Sequence, residues 1–111
     1  MNREFTKNEY KIVDKALEYI AIIPRCGCRI YWDKRTAFGR YQALSDKIYL
    51  MDQRDCLDEM MPCIVHELTH RVQRKRYGLI IFSLMNLTRC ILEKEAVRNE
   101  HKAELLMNIN L

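Results

Sequence analysis

A chain of 111 residues, 49% of them hydrophobic and without any low-complexity stretch, has the material for one small packed domain; it excludes a disordered chain and leaves no room for a second domain. The formal charge of +4 is mild, and the five cysteines are an odd number, which argues against a full disulfide framework. No apolar run follows the charges of MNREFTKNEY, and the longest apolar stretch, GLIIFSLMNLTRCIL, is broken by Ser83, Asn86, Thr88 and Arg89. The expectation is a soluble, cytoplasmic protein with reduced thiols, no secretory leader and no membrane span.

In chain order, Thr6-Lys7-Asn8-Glu9 reads as a capping box, with Phe5 and Tyr10 at the positions of a hydrophobic staple. Ile12, Val13, Ala16, Leu17 and Ile20 follow at helical spacing, and Pro24 with Gly27 closes the element, predicting a helix from about residue 7 to 21. Cys26-Gly27-Cys28 has metal-like spacing but lacks a second Cys/His pair, so a structural zinc there is not favoured. Between residues 28 and 51 the pattern becomes rich in Ile, Tyr, Trp and Phe, with breaks at Gly39 and Ser45-Asp46. It predicts two or three short strands in an antiparallel sheet.

From Asp55 the helical period returns. Leu57, Met60, Met61, Ile64, Leu68 and Val72 form one apolar stripe that ends before Gly78, with Asp52 or Asp55 as candidate caps. Pro62 suits a first turn better than an interior, which moves the start of the regular helix toward residue 61. Arg71, Arg74, Lys75 and Arg76 are either the cationic end of that helix or a basic patch for nucleic acid or an acidic partner. From Leu79 to about Met107 there is no glycine or proline, predicting one bent helix or two in succession.

Within the middle helix stands HELTH, residues 66–70. Two histidines four apart project from one helix face, so both imidazoles can reach a single ion. The glutamate after the first histidine points about 100° away around the axis, where it can hold a water without being a ligand. Zinc in such a site lowers the pKa of its water, and the carboxylate takes the proton as the water attacks a peptide carbonyl. The apolar stripe centres almost opposite His66 and His70, while Cys63 and Gln73 share the histidine side. Cys63, one turn before His66, fits a buried or metal-adjacent thiol better than a nucleophile. For a third ligand, residues 80–107 taken as one helix have Ile81, Leu84, Thr88, Ile91, Leu92 and Leu106 facing inward, and Glu95 falls among them. A carboxylate there needs a cation, either zinc or a side chain such as Arg98 or Lys102. On that register Glu93, Glu100 and Glu104 face solvent, and Asn99 lies beside Glu95 as a partner able to orient it.

HELTH followed by LEKEA resembles the gluzincin metallopeptidases, in which a downstream helix supplies a glutamate ligand. More narrowly, HELTHRVQ…LEKEAVRNE is similar to the compact peptidases of the ImmA/IrrE type and related small bacterial and viral proteins, over about residues 44–107. The resemblance implies a zincin-like α+β domain in which KIYLM is the edge strand that binds an extended substrate. It lacks the thermolysin-like Asn-Glu pair and any evident histidine or tyrosine for the oxyanion. The expectation is a zinc-dependent endopeptidase acting on a protein or peptide, with His66, His70 and Glu95 as ligands, Glu67 as general base and Asn99 in support. The alternatives are a weakly active, metal-bound interaction module within a larger assembly, and a nucleic-acid-associated protein using the basic stretch 71–76.

Overall fold

The computed structural model describes residues 2–36, 38–86 and 90–109. The elements run β1 (Asn2–Glu4), α1 (Lys7–Ile20), β2 (Arg29–Asp33), β3 (Gly39–Gln42), β4 (Lys47–Met51), a 3-10 stretch (Arg54–Met60), α2 (Met61–Asn86) and α3 (Cys90–Ile109). The fold is α+β, as expected.

Helix α1 starts as its sequence dictates. Thr6 accepts from the Glu9 backbone N–H and the Glu9 side chain accepts from Thr6 N–H (2.9 Å), while the Phe5 and Tyr10 rings sit 5.7 Å apart. The helix ends at Ala21, which takes the left-handed conformation. Pro62 falls in the first turn of α2, as its missing N–H requires. Asp52 accepts the backbone N–H of Arg54 at the start of the 3-10 stretch and pairs with its guanidinium at 2.6 Å.

The sheet is mixed rather than antiparallel throughout, in the order β1-β2-β4-β3. β2 and β4 are parallel, Tyr31 aligned with Tyr49, while β1 and β3 run antiparallel along the two edges. Strand β1 carries no sequence signal, since Asn2, Arg3 and Glu4 are polar. KIYLM is therefore an inner strand, and the edge strand beside the helices is GRYQ of β3. One sheet face contributes Ile30, Trp32, Ile48 and Leu50 to the core, against Val13, Leu17 and Ile20 of α1 and Met61, Ile64, Val65 and Leu68 of α2. The opposite face stacks Tyr31 on Tyr49, with Lys47 and Arg40 over the rings.

Arg71 is buried, its guanidinium gripping Asp46 at 3.0 and 3.2 Å and reaching the carbonyls of Arg25 and Cys26. Asp46 also accepts from the Tyr41 hydroxyl (2.7 Å). Burial works to raise the Asp46 carboxyl, but Tyr41 and Arg71 hold it below its usual value. A depressed carboxyl contributes stability above its unfolded pKa and loses it as pH falls through the folded value. Arg71→Met is therefore expected to cost about 1.5 kcal/mol at neutral pH, toward the low end because Asp46 is partly exposed. Urea titrations should show the difference shrinking as pH drops below the carboxylate's ordinary value of 3.8.

Helix α2 breaks at Gly78, whose φ of 79° and ψ of 163° turn the chain, so Leu79–Asn86 leaves in a new direction. Among the described residues, no helix is long and apolar enough to cross a membrane.

Candidate metal centre

Helix α3 lies along α2 on a seam of Leu92, Ala96, Asn99 and Ala103. The three apolar members are buried, and Asn99 donates to the hydroxyl of buried Thr69 (3.0 Å), which itself donates to Val65 O (2.8 Å). The small alanines let the two helices approach closely. Carboxylates flanking the seam at residues 93 and 100 then meet the histidines of α2.

His70 Nε2 is 2.8 Å from one oxygen of Glu93, and His66 Nε2 is 3.4 Å from the other. The remaining nitrogen of each ring has its own partner. His66 Nδ1 is 2.6 Å from Glu100, and His70 Nδ1 is 2.9 Å from the Gln73 side-chain oxygen. The rings meet edge-on with centroids 5.0 Å apart. Ligand atoms of His66, His70 and Glu93 lie within 4.8 Å of one another, and the two side-chain types are ordinary zinc ligands. Tetrahedral ligands at zinc distances stand about 3.3 Å apart, close to the His66–Glu93 separation, while the His70–Glu93 contact is a hydrogen-bond distance. With each Nδ1 occupied by an acceptor, both Nε2 atoms face the same carboxylate. The residues fit a cation shared among the three.

The third member of this group is Glu93, not Glu95. Glu95 accepts from the Gln73 amide (2.8 Å) and from Arg76 (3.4 Å), apart from the histidine rings. Arg98 and Lys102 make no ion pair with it among the described residues. Asn99 accordingly supports Thr69 rather than Glu95. The expectation failed because it carried one helical register from residue 80 to 107, whereas α2 ends at Asn86 and α3 begins afresh at Cys90. Of the residues assigned inward, Ile81, Leu84 and Ile91 are exposed, Leu92 is buried, and Thr88 lies outside the described residues.

Glu67 is buried on the side of the site that faces β3, and its carboxylate accepts the Tyr41 backbone N–H. Burial pushes this carboxyl up to about 7; the charge of His66 opposes the rise, the carboxylates of Glu93 and Glu100 add to it, and Tyr41 opposes it. In the antiparallel β3–β4 ladder, Met51 N–H donates to Phe38 O (2.8 Å), so the alternate residues Gly39 and Tyr41 turn their backbone groups to the free edge. Gly39 has no room for a side chain: a Cβ there would lie 2.8 Å from Cys63 Sγ, 3.0 Å from Leu50 and 3.5 Å from a Glu67 oxygen. The glycine brings the edge strand against the motif helix. Cys63 is a packed thiol, raised to about 12 by burial and by the charges of Glu67 and Glu100, which suits no nucleophile.

Among the described residues, no tyrosine hydroxyl or further histidine is brought to the centre. Tyr41 is committed to Asp46, Tyr31 and Tyr49 stack on the sheet, and His101 is exposed. Beside the centre runs a groove of about 950 Å³, lined by Phe38, Met51, Met60, Cys63 and Met107, and by Glu100, which also holds His66. Asp58, Glu59 and Glu104 add acidic groups to its wall, with no lysine or arginine among the described lining residues. The four basic residues do not form one exposed patch: Arg71 is clamped on Asp46 and Arg74 is half-buried, while Lys75 and Arg76 are exposed, Arg76 pairing with Glu95. Cys28 is buried and Cys26 exposed, and both are free thiols.

Compared with protein-family descriptions, curated proteins and solved structures, the chain has no match.

Proposed function

We propose that the protein is a zinc-dependent endopeptidase of minimal zincin-like build, with His66, His70 and Glu93 as ligands and Glu67 as general base. The observation that carries this reading is the convergence of both Nε2 atoms on the Glu93 carboxylate, with each Nδ1 held by its own acceptor. Zinc, when bound there, supplies an attacking water of lowered pKa. Glu67 accepts the proton of that water and passes it to the leaving amine, its carboxylate steadied by the Tyr41 N–H. The free edge of β3 offers the carbonyls of Gly39 and Tyr41 to an extended protein segment, while the Tyr41 N–H stays with Glu67. The acidic groove alongside favours a segment carrying lysine or arginine.

Elemental analysis of protein purified without added metal is expected to give about one zinc per chain, and His66→Ala is expected to remove it, because two donors are too few for a tight site. Metal retained at the same level in both His66→Ala and His70→Ala would sink the reading.

A second reading draws on the segment after Gly78. Ile80, Ile81 and Leu84 are exposed at 75%, 49% and 58%, an apolar face of the kind that binding to another protein covers. On this reading the domain is a metal-bound interaction module within an assembly. Zinc at one per chain without hydrolysis of any basic peptide would favour it.

A further inference from the structure

Gln73 follows His70 by one turn of α2 and is 1% exposed. Its side-chain nitrogen donates to Leu92 O (3.0 Å) and to Glu95 (2.8 Å). Two acceptors at one end of an amide decide which end is nitrogen, since the reverse orientation would set oxygen against oxygen. The amide oxygen is thereby left facing His70 Nδ1 at 2.9 Å, and that nitrogen must be the donor. A ring protonated at Nδ1 directs its Nε2 lone pair at the metal position, the atom that faces Glu93.

We infer that Gln73 is a positioning residue for the metal centre, and that Glu95 acts on the centre through it by locking the amide. The inference rests on the proposed metal site and adds what holds His70 in its binding orientation. Arg76, 3.4 Å from Glu95, extends the chain to the surface: Arg76 to Glu95 to Gln73 to His70. Charge explains why an amide stands here. Glu93 and Glu100 already bring two carboxylates to the histidines, and Glu95 lies beside Gln73. A carboxylate at position 73 would face Glu95 at hydrogen-bond distance with no proton between them.

The test compares the wild type with Gln73→Met and with the paired exchange Gln73→Glu plus Glu95→Gln. The exchange keeps an acceptor on His70 and reverses the bond between the two side chains, while Leu92 O loses its donor. Zinc affinity is measured by competition with a chromophoric chelator, and the His70 ring N–H is followed by proton NMR in the zinc-loaded protein. Gln73→Met is expected to weaken zinc by about 10- to 100-fold, the usual effect of losing a ligand's supporting partner, and to lose the exchange-protected ring proton. The paired exchange is expected to recover the ring proton and part of the affinity, since His70 regains an acceptor but Leu92 O stays without its donor. A folded Gln73→Met protein that binds zinc as tightly as wild type, ring proton still protected, overturns the inference and leaves the metal site standing. If Gln73→Met does not fold, the paired exchange decides: a protected His70 ring proton in the zinc-loaded protein supports the role, and its loss from a folded, zinc-loaded protein overturns it. A wild type that binds no zinc overturns the metal site itself, and this role with it.

Discussion

Glu93→Gln is expected to weaken zinc binding by more than about 100-fold, since loss of a ligand exceeds the 10- to 100-fold effect of losing an outer partner. Glu95→Gln should change it only a few-fold. The Glu93 carboxylate bridges His70 Nε2 and His66 Nε2 at 2.8 and 3.4 Å. An amide there keeps one weak oxygen donor and sets an N–H group toward the other ring. At position 95 an amide oxygen can still accept from Gln73, so the support of His70 survives. Chelator competition on the two purified variants separates the cases. A tight-binding Glu93→Gln alongside a weak Glu95→Gln would reverse the assignment of the third ligand.

Glu67→Gln should lower kcat for peptide hydrolysis by about 10²- to 10⁴-fold, the usual contribution of a general base, while zinc content stays at the wild-type level. The two readouts part because Glu67 belongs to no ligand pair: its carboxylate is on the β3 side, accepting from Tyr41 N–H. A glutamine oxygen can accept the same N–H, so the strand should stay in place, but an amide cannot take the proton from water. Turnover at the wild-type rate by a zinc-loaded Glu67→Gln protein would remove Glu67 from the chemistry, whatever becomes of the metal site.

Some of this protein could be read locally. The start of α1 is set by contacts among residues 5 to 10, and the structure has those contacts at the expected positions. His66 and His70 share a face because four residues make about one helical turn. The first-turn position of Pro62 follows from its missing N–H. In each case the interacting groups are a few residues apart, so spacing alone determines which atoms meet.

The tertiary structure decided the rest. Strand β1 is polar and pairs with β2 across about 30 residues of chain, and β4 sits between β2 and β3 because β2 and β4 pair in parallel; alternation within a strand says nothing about its neighbours. That order made GRYQ, rather than KIYLM, the edge beside Glu67. Which carboxylate of α3 meets the histidines depended on rotation about a helix axis, where each residue turns the face by about 100°. Apart from Leu92, the seam that sets it is made of Ala96, Asn99 and Ala103, small or polar residues that a hydrophobic count passes over. The bulkier Ile81, Leu84 and Ile91 dominated that count although all three are exposed. What brings Glu93 and Glu100 to the histidines is the close approach that the alanines permit. That is a property of two packed helices, which neither helix carries alone.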